Sequence, residues 1–211
     1  MKIVVLGAAG NVGSRFARQA VAAGHEVVAY VRRPEAAPAG TEVVVGSAED
    51  VETLASAAQG ADVLVVSITG SIRDASFMQR LQPGIIEAAR RAQVKRVVLV
   101  SVFGAGETRA KASGFARLIY NTALRGFLAD KAAAGALLME SGLNWTIVYP
   151  VNLKDAPALP SQTVKALDEV SRVPGMPTLP MDNAATGLLE VATDPATTGK
   201  RLLITTPTGR R

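Results

Sequence analysis

Gly7-Ala8-Ala9-Gly10-Asn11-Val12-Gly13 follows the mostly apolar run Lys2-Ile3-Val4-Val5-Leu6 and leads into a stretch, about Asn11 to Ala23, whose residues Val12, Phe16, Ala20 and Val21 recur at helical spacing. A glycine triplet alone is a weak signal. Between a buried strand and an amphipathic helix it has the setting that a dinucleotide-binding turn needs. The spacing is G-x-x-G-x-x-G, one residue longer than the common fingerprint. Gly7 permits the tight turn, Gly10 lets a pyrophosphate approach the backbone, and Gly13 lets helix and sheet pack closely. Ala9, Asn11 and Val12 complete the turn, whose free N–H groups and helix dipole favour an anion. The alternative is a structural turn that binds nothing.

Outward from this turn, strand and helix patterns alternate. Strands are expected at 26–31, 42–45, 62–66 and 96–101, with helices at about 51–59 and 76–92 between them. This order predicts βαβ units and a doubly wound, mostly parallel sheet flanked by helices, the Rossmann architecture. The second half is looser. It reads as a loop at 104–113, helix over 114–140 with a break near Arg125-Gly126, and a strand at 144–148. The stretch 150–180 holds six of the eleven prolines and reads as irregular. Asp182 is expected to cap a helix through about Ala192, and a last strand covers 201–205. One domain over 1–211 is expected, with 104–126 and 150–180 on the substrate side.

Composition narrows the chemistry. With no cysteine and one histidine, His25, the chain has no means to build a zinc finger, a disulfide, a cysteine nucleophile or a multi-histidine metal site, so no metal is expected. The absence of a G-x-S-x-G elbow and of a P-loop removes two further enzyme classes. No apolar stretch approaches the roughly 18 residues of a membrane span. The opening run ends in the glycine turn and reads as a strand, not a leader, so a cytoplasmic protein is expected. The net charge of +5 is scattered, apart from Arg32-Arg33, the segment 109–125 and Arg210-Arg211. That suits small anions better than nucleic acid, so the expected partner is a small-molecule substrate, with no nucleic acid and no membrane. A monomer or weak homodimer is expected.

The end of the second strand selects the cofactor. An NAD site usually carries an acid there for the ribose 2′-hydroxyl. This chain has Tyr30-Val31-Arg32-Arg33. Arg32 can pair with a 2′-phosphate, and Arg33 can stack on adenine or add charge, so NADP(H) is preferred and NAD(H) remains possible. A solvated basic turn is the alternative. Ser47, after the third strand, and Thr69-Gly70, after the fourth, are expected on the cofactor by their place at the carboxyl edge of the sheet.

The turn, the Arg32-Arg33 pair, Val97-Val98-Leu99-Val100-Ser101 and Ser141-Gly142-Leu143-Asn144-Trp145-Thr146-Ile147-Val148-Tyr149-Pro150 together resemble the atypical short-chain dehydrogenase/reductases of the NmrA-like NAD(P)H-binding group. Within that group the chain is most similar to the flavin reductase / biliverdin-IXβ reductase type. Ordinary members of the superfamily use a tyrosine and a lysine four residues later. Here Tyr30, Tyr120 and Tyr149 are followed at that distance by Pro34, Leu124 and Leu153, and the matching site reads Phe127-Leu128-Ala129-Asp130-Lys131. The resemblance implies that Ser101 lies near the nicotinamide and that Lys131 stands where the type has a histidine. Asn152 stands where the biliverdin-type enzyme has another, which weakens the analogy to tetrapyrrole reduction.

Ser101 and Lys131 are therefore the candidate catalytic residues, Tyr149 a further cofactor contact, and Phe103 and Asn152 substrate contacts. The bland readings are a strand-end hydrogen bond for Ser101, a solvated helix lysine for Lys131, and packing beside Pro150 for Tyr149. The expected activity is NADPH-dependent hydride transfer to a planar acceptor such as a flavin, quinone or related metabolite. A non-catalytic NADP(H) sensor and a nucleotide-sugar epimerase-like enzyme are the alternatives.

Overall fold

The computed structural model describes residues 1–207; Arg210-Arg211 and the end of the expected 1–211 domain lie outside the described residues. The chain runs through β1 (Lys2–Leu6), α1 (Asn11–Ala22), β2 (Glu26–Val31), β3 (Glu42–Val45), α2 (Val51–Ala57), β4 (Val63–Val66), α3 (Phe77–Arg91) and β5 (Arg96–Val100). It continues through α4 (Gly114–Asn121), α5 (Arg125–Met139), β6 (Trp145–Pro150), β7 (Asn152–Lys154), β8 (Thr163–Ala166), β9 (Thr178–Pro180), α6 (Met181–Thr193) and β10 (Arg201–Thr205). The main sheet has the order β3-β2-β1-β4-β5-β6-β10-β8. All its pairs are parallel except β10 with β8. The expected doubly wound sheet is therefore present.

The apolar runs explain the arrangement. β4 and β5 are buried along their whole length, and β1 from Ile3 onward. Strands of a parallel sheet covered by helices on both faces need side chains of that kind. α1 packs against α6, while α3 packs against both α2 and α5. The connections run outward from β1 to β3 and then cross to β4 on the other side of β1. This reversal opens a crevice past the carboxyl ends of β1 and β4, where doubly wound sheets place ligands. Among the described residues no helix is long and apolar enough to cross a membrane.

Four local expectations need correction. The stretch 150–180 is not irregular: β7 pairs with β9, and β8 extends the main sheet antiparallel to β10. Its prolines flank the strands or end them, so Thr163-Val164-Lys165-Ala166 stays free to pair. The loop expected at 104–113 contains a 3-10 helix over Gly106–Lys111. The helical break comes at 122–124, before Arg125. Asp182 does not cap α6; Pro180 stands at that position, and Asp182 in the first turn instead accepts a hydrogen bond from Arg15 Nε at 3.2 Å.

Candidate functional site

The crevice is a cleft of about 960 Å³ that runs across the carboxyl edge of the sheet from β2 to β6. At its centre lies the glycine turn. Gly7 has φ +95°, and a Cβ there would meet the Ser67 carbonyl oxygen at 2.4 Å. A Cβ on Gly13 would meet the Gly7 carbonyl oxygen at 2.2 Å, so α1 rests directly on the turn. Gly10 is the N-cap of α1 and supplies no side-chain cap. The first N–H groups of the helix therefore face the cleft beside Gly7, Ala9, Gly10, Asn11 and Val12, all in its lining.

At the β2 end the cleft is bounded by Tyr30, Arg32, Arg33, Gly46 and Ser47. Arg32 forms no salt bridge among the described residues, and Arg33 makes only a loose 3.8 Å approach to Glu35. Tyr30, which sequence reasoning did not select, donates from its hydroxyl to the Ser47 carbonyl at 2.9 Å. Burial, with the Asp50 charge second, pushes its pKa up to about 12, so it stays a neutral donor. Its ring also explains Gly46, whose Cβ would lie 2.1 Å from the hydroxyl. Glu49 is the one carboxylate in the lining among the described residues, and nothing in the spacing of the sequence singled it out.

At the other end Ser101, just past β5, is buried, and its Oγ has no hydrogen-bond partner. Lys131 is also buried, and its Nζ donates to the Ile68 carbonyl at 2.8 Å. Burial pulls the ammonium pKa down to about 8, while the Asp130 charge opposes the shift. A solvated helix lysine is thus ruled out by its surroundings. Phe127 lines the cleft one helical turn before Lys131. Phe77, Leu153 and Met181 add apolar wall, and Thr69, Gly70 and Asn152 add polar edges. Asn152 spends its amide on the Pro177 carbonyl at 3.3 Å.

Two expected contacts lie elsewhere. Phe103 is buried behind the cleft, edge-on to Tyr120 with ring centroids 6.5 Å apart. Tyr149 is buried outside the lining, and burial pushes its pKa up to about 12. The lining at these two strand ends is supplied instead by Val100, Ser101 and Val102 and by Pro150, Val151, Asn152 and Leu153.

The donor set fits a dinucleotide. It offers an uncapped helix N-terminus over close-approach glycines, the Arg32 and Arg33 guanidinium groups at one end, and an orphaned hydroxyl and a buried amine at the other.

Comparison with known proteins agrees with this geometry. A family model described as NAD(P)H-binding matches residues 7–195. The uncharacterized sugar epimerase YhfK of Bacillus subtilis (strain 168) is 30% identical over 184 residues, covering 82% of this chain and 80% of that protein. Among solved structures, ChuY, an anaerobillin reductase from Escherichia coli O157:H7, superposes with a TM-score of 0.79 at 23% identity, covering 100% of both chains. A short-chain dehydrogenase/reductase (wide type) from Veillonella parvula DSM 2008, solved with NADP, gives a TM-score of 0.81 at 18% identity, covering 98% of this chain and 95% of that one. At such identities the structural likeness speaks for the fold.

Proposed function

The chain belongs to the NAD(P)H-binding family, and we propose that within it this protein is an NADPH-dependent reductase that passes hydride to a planar acceptor such as a flavin, quinone or related metabolite. One observation carries the reading. The orphaned Ser101 hydroxyl and the Lys131 amine share one cleft with the apolar side chains of Phe77, Phe127, Leu153 and Met181. Such a cleft suits a flat, weakly polar partner better than a sugar.

When bound, the reduced nicotinamide supplies the hydride. The chain's own groups bind, orient and exclude water. The α1 N-terminus and Gly10 hold the pyrophosphate. Arg32, with Arg33, takes the 2′-phosphate. The Ser101 Oγ orients the carboxamide. Lys131 keeps one N–H on Ile68 and turns its others toward the ribose hydroxyls. Phe127 stands where a tyrosine would deliver a proton, so the proton that balances the transfer comes from solvent. Acceptors that need no built-in acid are therefore favoured.

Two other readings have support of their own. Phe127 in the cleft also suits a sensor that binds NADP(H) without turnover. The name of the Bacillus subtilis relative favours epimerase chemistry. The test mixes purified protein with NADPH and a free flavin, then a quinone, and follows absorbance in the reduced-nicotinamide band. Oxidation that depends on the protein and on either acceptor is expected. Tight NADPH binding with no oxidation by any acceptor sinks the reductase reading and leaves the sensor. Conversion of a nucleotide sugar would establish the epimerase.

A further inference from the structure

The segment 67–76 joins β4 to α3 and supplies Ile68, Thr69 and Gly70 to the cleft, and Phe77 begins the helix that follows. It is one wall of the cleft. Its shape depends on tight packing: a Cβ on Gly70 would lie 2.5 Å from the Phe77 ring. Yet α3 does little to fix its own start. Its N-cap Ser76 makes no side-chain cap hydrogen bond, and its first turn has no acid.

The missing cap comes from another helix. Asp130, on α5, is 1% exposed. Its Oδ2 accepts from the Met78 N–H and its Oδ1 from the Gln79 N–H, each at 2.9 Å. The Gln79 side-chain amide approaches the same Oδ1 at 3.4 Å. A carboxylate is well placed against the positive end of a helix dipole. The next residue, Lys131, holds the Ile68 carbonyl at 2.8 Å. Two consecutive residues of α5 thus hold both ends of the β4–α3 segment. A third contact presses its end: a Cβ on Gly126 would lie 2.9 Å from the Ala75 Cβ.

We propose that Asp130 is a positioning residue: it caps α3 from across the domain and so, together with Lys131, sets the β4–α3 wall against the nicotinamide end of the cleft. Its reason for being an acid is then twofold. It neutralises the orphan N–H groups of α3, and it is the charge that acts on the Lys131 amine against desolvation. From α3, Arg80 is the cation on which the Asp130 charge bears. The mechanistic part of this inference rests on the reductase reading; the capping part does not.

The test uses the full chain with Asp130→Asn and Asp130→Ala. Asparagine keeps one carbonyl oxygen, so it satisfies one of the two N–H groups; alanine satisfies neither. The first measurement needs no cofactor. Amide hydrogen exchange in the free protein should speed by tenfold or more at Met78, Gln79 and the 68–77 backbone in the alanine variant, and by less in asparagine. Unchanged protection there overturns the proposal even if the protein proves to bind no NADPH. The second uses two probes. NADPH affinity should fall about tenfold in the alanine variant, with partial rescue in asparagine, while 2′,5′-ADP, which fills only the β2 end, should bind within twofold of wild type. Equal weakening of both probes would mean general loosening of the fold and would overturn the positioning role. Third, the alkaline limb of the pH profile for flavin reduction should move to lower pH in Asp130→Asn, because the amine loses its counter-charge. An unmoved limb with normal exchange contradicts the coupling.

Discussion

Replacing Gly13 with alanine perturbs the cofactor turn at one atom. The added Cβ would stand 2.2 Å from the Gly7 carbonyl oxygen and 2.9 Å from its carbon, both backbone atoms in the turn itself. No flexible side chain can yield. Restoring an ordinary contact of 3.4 Å moves the N-terminus of α1 off the turn by about 1 Å. Overpacking of this kind costs about 1–3 kcal/mol. In a chain of 211 residues that lowers Tm by about 3–10 °C. The same displacement carries the helix N–H groups out of hydrogen-bond range of the pyrophosphate, and charge-assisted bonds are worth about 1.5–3 kcal/mol each. NADPH affinity should therefore fall by roughly tenfold to a hundredfold. Gly24→Ala is the control. It has open space around its Cβ and φ +82°, so it should cost about 1–2 kcal/mol of backbone strain and leave NADPH affinity alone. Thermal melts and NADPH titrations on the two variants decide the matter. A Gly13→Ala protein that melts and binds like wild type would refute the close approach of helix and turn.

Other perturbations act on single groups. Arg32→Ala should weaken NADPH tenfold or more, with NADH affected less than twofold; equal weakening in titrations would contradict the 2′-phosphate role. Ser101→Ala should slow flavin reduction while leaving the Tm of the free protein unchanged or slightly raised, because the buried hydroxyl has no partner to lose. A clear drop in Tm would show that the hydroxyl is engaged. Lys131 gives a pH signature. Its folded pKa, about 8, lies below the unfolded value of 10.5, so the unfolded chain binds more protons between those values. Stability should rise with pH across that window, by about 3 kcal/mol for this group alone. Tyr30 and Tyr149, with pKa values raised to about 12, pull the other way above pH 10, so the difference between wild type and Lys131→Met in denaturant melts isolates the lysine. A flat difference from pH 8 to 10 would contradict its desolvation.

The glycine turn, the central strands and the place of Arg32 and Arg33 at the cleft were legible because each rests on local pattern. Gly7 and Gly13 answer a backbone problem that only glycine solves, and the runs at 3–6, 63–66 and 97–100 are apolar throughout. What stayed hidden depends on partners distant in the chain. Asp130 caps a helix 51 and 52 positions away, and the Lys131 amine is buried against Ile68, 63 positions away. No spacing rule links such residues. Phe103 and Tyr149 were misplaced for a different reason: both side chains are buried, Phe103 edge-on to Tyr120, and no local pattern encodes that packing. β8 was missed because proline density over 150–180 masked a four-residue strand whose pairing partner, β10, comes some forty residues later.

Calorimetric titration of the purified chain with NADPH, repeated with NADH and in the presence of 2′,5′-ADP, tests the central claim most directly. One NADPH per chain, bound more tightly than NADH and displaced by 2′,5′-ADP, is the predicted result. No binding of either dinucleotide would contradict the assignment of the Gly7–Gly13 turn.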